Sequence, residues 1–255
     1  MNITVSVEQL VTVLMVSARM VATLTVAPPF NGGMVPVRIR VGLAVAIGVL
    51  LASNPSDSWP DPPLDIPSLT LAIIAQIVVG LAFGFFIQLL MSTFQVAGSI
   101  IDLSAGLSAG ALYDPITQSQ SAPVGRMYQL VSLALLVALD GHLMIVQGVI
   151  RSYEVNPTGI MNGDALGPAL SDGTAQLLIA ALEVGFPILA ALMLTEVALA
   201  IASRAAPKMN IMAVGFGVKS MTLFATLGLG LPLLANATAN LLEAGLRSGS
   251  GLIGG

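Results

Sequence analysis

The chain has 255 residues, 56% of them hydrophobic and 9% charged, with a net charge of −4, no cysteine and a mean hydropathy of +0.93. So little charge excludes an ordinary water-soluble domain, in which roughly a quarter of residues are charged, and the sparse Lys and Arg exclude a nucleic-acid-binding face. The lack of cysteine removes disulfides, thiolate nucleophiles and Cys-based metal sites.

Taken in chain order, Met1 to Glu8 has no basic region and Arg19 interrupts the apolar run that follows, so the first run is read as a retained helix and not a cleaved signal. Apolar runs centre on Leu10 to Ala27, Val41 to Ala52, Leu69 to Met91, Val124 to Val149, Ala175 to Ala202 and Ile211 to Ala235. That predicts about six spans, the second short for a perpendicular helix of about 20 residues. Pro28-Pro29 with Gly32-Gly33, the Pro- and Asp-rich segment Ser53 to Pro67, and Asn156 to Ser171 read as connections. The glycine-rich tail, Ser248 to Gly255, reads as frayed. No stretch is polar enough to form a separate soluble domain, so residues 1–255 are expected to form one all-α polytopic membrane domain of helical hairpins. Arg38 and Arg40 share one connection, Arg204 and Lys208 another, and Asp57, Asp61 and Asp65 lie in a third. Six spans starting outside place both basic connections in the cytoplasm and both termini outside.

Ser92 to Ala122 is neither lipid-like nor loop-like throughout. Val96, Ile100, Ile101, Leu103 and Leu107 have helical spacing, whereas Gly106, Gly110 and Asp114-Pro115 interrupt it. A helix followed by a compact re-entrant connection is expected, since irregular backbone at membrane depth needs protein or water around it.

Gly80 and Gly84 form G-x-x-x-G, a spacing that lets helices approach closely. Internal packing and contact with another subunit both fit. Arg19, Asp102, Asp140, His142, Glu183, Glu196 and Lys219 lie in or beside apolar runs, where a charge facing lipid costs about 2.5–3.5 kcal/mol. They are expected to pair, face water or sit in an interface; Lys219 with Glu183 or Glu196, and Arg19 with Asp102, are the candidate pairs. Asp140, His142 and the two Glu also fit a proton or ion relay, which makes an ion-coupled small-solute transporter the alternative function, although no internal repeat of the transporter kind is apparent. His142 has no second histidine or cysteine at metal spacing. G-x-S-x-G, H-E-x-x-H and G-x-x-x-x-G-K-[ST] are absent, so neither catalysis, a metal site nor a cofactor is expected.

Three stretches together resemble the flagellar export-gate subunit R family, FliR, whose virulence-secretion relatives are called SctT. They are Arg19 through Ala27-Pro28-Pro29-Phe30 to Val35-Pro36-Val37-Arg38-Ile39-Arg40-Val41-Gly42-Leu43-Ala44; Gly98-Ser99-Ile100-Ile101-Asp102 to Gly106-Leu107-Ser108, Tyr113-Asp114-Pro115, Arg126 and Gly141-His142; and Arg204-Ala205-Ala206-Pro207-Lys208-Met209-Asn210-Ile211, then Gly215-Phe216 and Lys219. The resemblance implies a core subunit of a type III protein export gate in the bacterial inner membrane, at the flagellar basal body. Its implied partners are FliP-like and FliQ-like subunits, FlhB-like and FlhA-like export components, unfolded export substrates and membrane lipid. It also implies that the connection after the Asp102 helix plugs the pore, making Gly106, Leu107, Ala109, Gly110, Leu112, Tyr113, Asp114 and Pro115 plug candidates. The chain departs from the family pattern at this connection, which often carries bulky aromatics, at Asp140, where asparagine is common, and at Gly217, where proline often follows Gly-Phe. Much apparently transmembrane sequence is implied to lie in a protein-covered cone above the bilayer.

Overall fold

A computed structural model describes residues 6–31, 35–53, 59, 61–109, 122–160, 163–206 and 211–254, and among them it contains helices and no strand. The α-helices are α1 (Val7–Val26), α2 (Val37–Ser53), α3 (Ile66–Ala105), α4 (Pro123–Ala138), α5 (Gly141–Val155), α6 (Gly163–Ala205) and α7 (Ile211–Gly254), with a 3₁₀ turn at Leu107–Ala109. The all-α membrane class expected from composition is the class observed.

Local chemistry explains where these helices begin and end. The Ser6 hydroxyl accepts from the Gln9 amide at 3.2 Å while the Gln9 side chain accepts from the Ser6 amide at 3.1 Å, a capping box that starts α1. Pro28 follows its C-cap, Ala27. Asp65 accepts from the Ser68 amide at 3.1 Å and from its hydroxyl, and so caps α3. Gly106, at φ +79°, closes the far end in the left-handed conformation that glycine adopts without a Cβ clash. Pro123 is the first residue of α4, where a missing N–H costs nothing.

Several helices depart from the lengths read in sequence. The 40 residues of α3 amount to about 60 Å of helical rise, twice the roughly 30 Å hydrocarbon core. It joins the third apolar run to the helical half of the segment after it. The fourth run is two helices, α4 and α5, bent by 70° at Leu139-Asp140. Asp140 has φ 56°, a left-handed value that Asp and Asn reach more easily than other side chains. The connection predicted over Asn156 to Ser171 is shorter than its glycines and prolines suggested, because α6 already begins at Gly163 and takes in Gly167 and Pro168. In the tail, α7 continues to Gly254, since glycine weakens a helix but keeps its hydrogen-bonding N–H.

The expectation of six spans is corrected. Among the described residues, three helices are long and apolar enough to cross a membrane, within Val7–Val26, Ile66–Ala105 and Gly167–Ala205, and the bent α4–α5 pair makes a fourth if it counts as one span. Length is the reason at α2, which has 17 residues with Arg38 and Arg40 in its first turn; in α7 the apolar stretch among the described residues is Val214–Gly228. An inside–outside assignment that needs six crossings no longer follows.

Residue contacts gather into two compact units, residues 1–90, 136–174 and 241–255 in the first and 91–135 with 175–240 in the second. In the first, α1 lies against α2 and α3. A Cβ added at Gly48 would meet Val13 O at 3.1 Å, and one at Gly84 would meet Thr23 O at 2.7 Å. Gly80 is equally tight against the Arg19 carbonyl, and the Thr23 hydroxyl donates to Gly80 O at 3.1 Å. Gly80 and Gly84 are therefore internal packing positions. In the second unit α3 crosses α4 where a Cβ on Gly98 would fall 2.6 Å from Gly125 N, so only glycine fits.

Candidate functional site

Within the first unit, Arg19 of α1 is 1% exposed and forms the centre of a polar cluster. Its Nε donates to Gln76 Oε1 at 2.7 Å, Nη1 to the Ser152 carbonyl at 2.9 Å and hydroxyl at 3.0 Å, and Nη2 to the Asn156 carbonyl at 2.8 Å. The guanidinium also lies over the Tyr153 ring, 3.9 Å from its centroid. The Tyr153 hydroxyl shares its one proton between Gln76 Oε1 at 2.9 Å and Met15 O at 2.8 Å, and Gln76 Nε2 donates to Pro157 O at 2.8 Å. Ser152 and Asn156 belong to the last turn and C-cap of α5. The cation is therefore neutralised by the carbonyl end of a helix and not by a carboxylate. Beside this cluster a cavity of about 620 Å³ opens between the starts of α1 and α3, with Trp59, Tyr153, Glu8 and Asp61 among its walls.

In the second unit Asp102 is 0% exposed and does the converse. Its two carboxylate oxygens accept from the Val124 amide at 3.1 Å and the Gly125 amide at 2.9 Å, at the start of α4. The residue preceding α4 is Ala122, which has no side-chain oxygen, so Asp102 supplies the cap from α3. Close passage of Gly98 by Gly125 brings it within reach. Lys219 of α7 repeats the Arg19 pattern: its Nζ reaches the Ser104 carbonyl in the last turn of α3 at 3.4 Å and pairs with Glu196 Oε1 at 2.8 Å.

Of the two acids proposed for Lys219, Glu196 forms the pair, and its side chain is 65% exposed. Arg19 and Asp102 do not pair; each is satisfied by a helix end. Asp140 is exposed at the α4–α5 corner, and its side chain makes no cap hydrogen bond. His142 is half-buried, and its Nδ1 has no hydrogen-bond partner. Glu183 is exposed on α6. Among the described residues no group of three or more His, Cys, Asp or Glu is arranged to hold a metal. Of the plug candidates, Gly106 and Leu107 are described, as is the backbone of Ala109. Gly110, Leu112, Tyr113, Asp114 and Pro115 lie outside the described residues. Sequence reading missed Gln76, Ser152, Tyr153 and Asn156 as partners of Arg19; Gln76, a lone amide in an apolar run, was the one visible signal.

The sequence matches the bacterial export proteins, family 1, over residues 10–245. The chain belongs to that family. It is 30% identical over 224 residues to the flagellar biosynthetic protein FliR of Pectobacterium carotovorum subsp. carotovorum, covering 85% of this chain and 82% of that protein. It is 29% identical over 220 residues to FliR of Escherichia coli (strain K12), covering 85% and 80%. Similarity extends to the surface presentation of antigens protein SpaR of Shigella flexneri, 26% identical over 201 residues, with 76% of this chain and 75% of the relative covered. The FliR resemblance carried by the three stretches is thus a family relationship that spans most of the chain.

Proposed function

We propose that this export-family chain is a core subunit of the flagellar type III export gate, helping to form and plug the channel through which unfolded flagellar proteins cross the inner membrane. It would sit there as a multi-pass subunit of the basal body, with FliP-like and FliQ-like subunits and FlhB-like and FlhA-like components, without catalysis of its own. Family membership over residues 10–245 carries the reading, and it makes the chain a component of a bacterial export apparatus. The similarity to FliR proteins favours the flagellar assignment.

The plug is assigned to the connection that follows α3. Its support is the way the helices on either side are finished: Gly106 turns the chain out of α3, and Asp102 ties the last turn of α3 to the first turn of α4. Such a joint holds the base of the connection on both sides. Deleting Ala109 to Gln118 should raise ion leak through the assembled gate. Unchanged conductance in a gate that still contains its partner subunits would sink the plug assignment.

A further inference from the structure

Two sides of α6 differ in chemistry. Ala181, Ile188 and Leu192 are buried, and a Cβ added at Gly185, between them, would sit 3.8 Å from Ala97 O and 3.9 Å from Ile101 Cδ1. That side packs on α3 within the second unit. Ile179, Leu182, Phe186, Met193 and Val197 recur at helical spacing on the other side and are 52% to 67% exposed.

Glu183 lies inside this apolar stripe, one turn from Ile179 and less than one from Phe186. It is exposed, and among the described residues neither a hydrogen bond nor an ion pair reaches its carboxylate. Four residues later stands Pro187, which has no N–H, so the helical hydrogen bond that would end on the Glu183 carbonyl is missing. Residue 183 therefore offers two carboxylate oxygens and one backbone carbonyl, all acceptors, in an apolar surface.

Neither simple environment suits this stripe. Lipid satisfies Ile179, Leu182 and Phe186 but offers no donor to the Glu183 carboxyl or to the carbonyl that Pro187 leaves without its usual i+4 amide. Water satisfies Glu183 but leaves a long row of large apolar side chains uncovered. A surface that is apolar around a concentrated group of acceptors is satisfied by an apolar surface around a cationic donor.

We propose that this side of α6 docks an apolar helix of a different polypeptide, which brings a lysine or arginine to the level of Glu183. The inference rests on the reading of the chain as one subunit of an assembly, and it adds which helix makes the contact and what chemistry the partner carries.

Photo-crosslinking in the native membrane tests it, with a benzoylphenylalanine replacing Phe186 in the full-length chain. Irradiation should yield an adduct with a second, different polypeptide, and peptide mapping should place the adduct within one helical turn of a lysine or arginine in an apolar segment. Glu183→Lys should lower the yield about tenfold, and replacing the mapped basic residue by glutamate should restore it. That rescue separates lost complementarity from a misfolded chain. Adducts with lipid only, with a second copy of this chain or within the chain overturn the proposal, as does a mapped helix without a basic residue or a yield that Glu183→Lys leaves unchanged. If adducts fail while the chain still co-purifies with other subunits, the docking surface is wrong and the assembly reading stands. If nothing co-purifies, the assembly reading itself falls.

Discussion

Arg19 and Glu183 both interrupt apolar helices, and the fold treats them oppositely. Arg19 is 1% exposed and has every arm of its guanidinium engaged by α3, α5 and the residues that follow α5. Glu183 is exposed, with no partner among the described residues. The cost of an unsatisfied charge in an apolar setting is common to both, so the difference lies in where the satisfying group resides. For Arg19 it is within the chain, and the residue holds the fold. For Glu183 it has to come from elsewhere.

The largest effect that would break this contrast is expected at Arg19. Arg19→Met keeps the apolar volume but removes the four hydrogen bonds donated to Gln76, Ser152 and Asn156, and should destabilise the isolated chain by about 3 kcal/mol. Chemical unfolding of the detergent-solubilised chain measures this, with Glu183→Gln as the control that should leave it almost unchanged. If the two variants unfold alike, the division between fold-holding and outward-facing charges fails.

Asp102 sharpens the contrast with an acid that is satisfied internally. Asp102→Ala removes the cap of α4 and should cost about 1–2 kcal/mol, read as faster amide exchange at Val124 and Gly125. Unaltered exchange there would show that the carboxylate serves something other than the helix end.

The smallest effect belongs to Asp65, a charge in water before α3. The Ser68 hydroxyl and amide hold its carboxylate below the usual range. A carboxylate with a lowered folded-state pKa stabilises the fold above its ordinary titration range, and that contribution disappears as pH falls through the lowered value. Ser68→Ala should therefore speed amide exchange in the first turn of α3 near neutral pH and make little difference in strong acid. A difference that grows on acidification would contradict the cap.

Much of this architecture was legible from residue order. The apolar runs located the helices, the flanking prolines and glycines located most breaks, and the three family stretches located the relationship. The corner at Asp140 was hidden because one polar residue between Leu139 and Gly141 does not disturb an apolar average. The early start of α6 was hidden by Gly163, Gly167 and Pro168, which are loop-like in composition but tolerated near a helix start. Partners for the charges were the least legible. Opposite charges can be sought in a sequence, but Arg19 ends on the carbonyls of Ser152 and Asn156 and Asp102 on the amides of Val124 and Gly125. Every residue has a carbonyl and nearly every residue an amide, so only the folded path of the chain selects them.

The Asp102 clasp also bears on how the chain can vary over evolutionary time. By fastening residue 102 to residues 124 and 125, it fixes the ends of the intervening stretch, whatever that stretch contains. Lengthening a connection whose ends are already held costs little, because closure entropy grows only logarithmically with length. Insertions, deletions and changes of residue size between Leu107 and Ala122 are thereby uncoupled from the seating of α3 on α4. Sequence change in this segment can therefore accumulate without rebuilding the helices on either side of it.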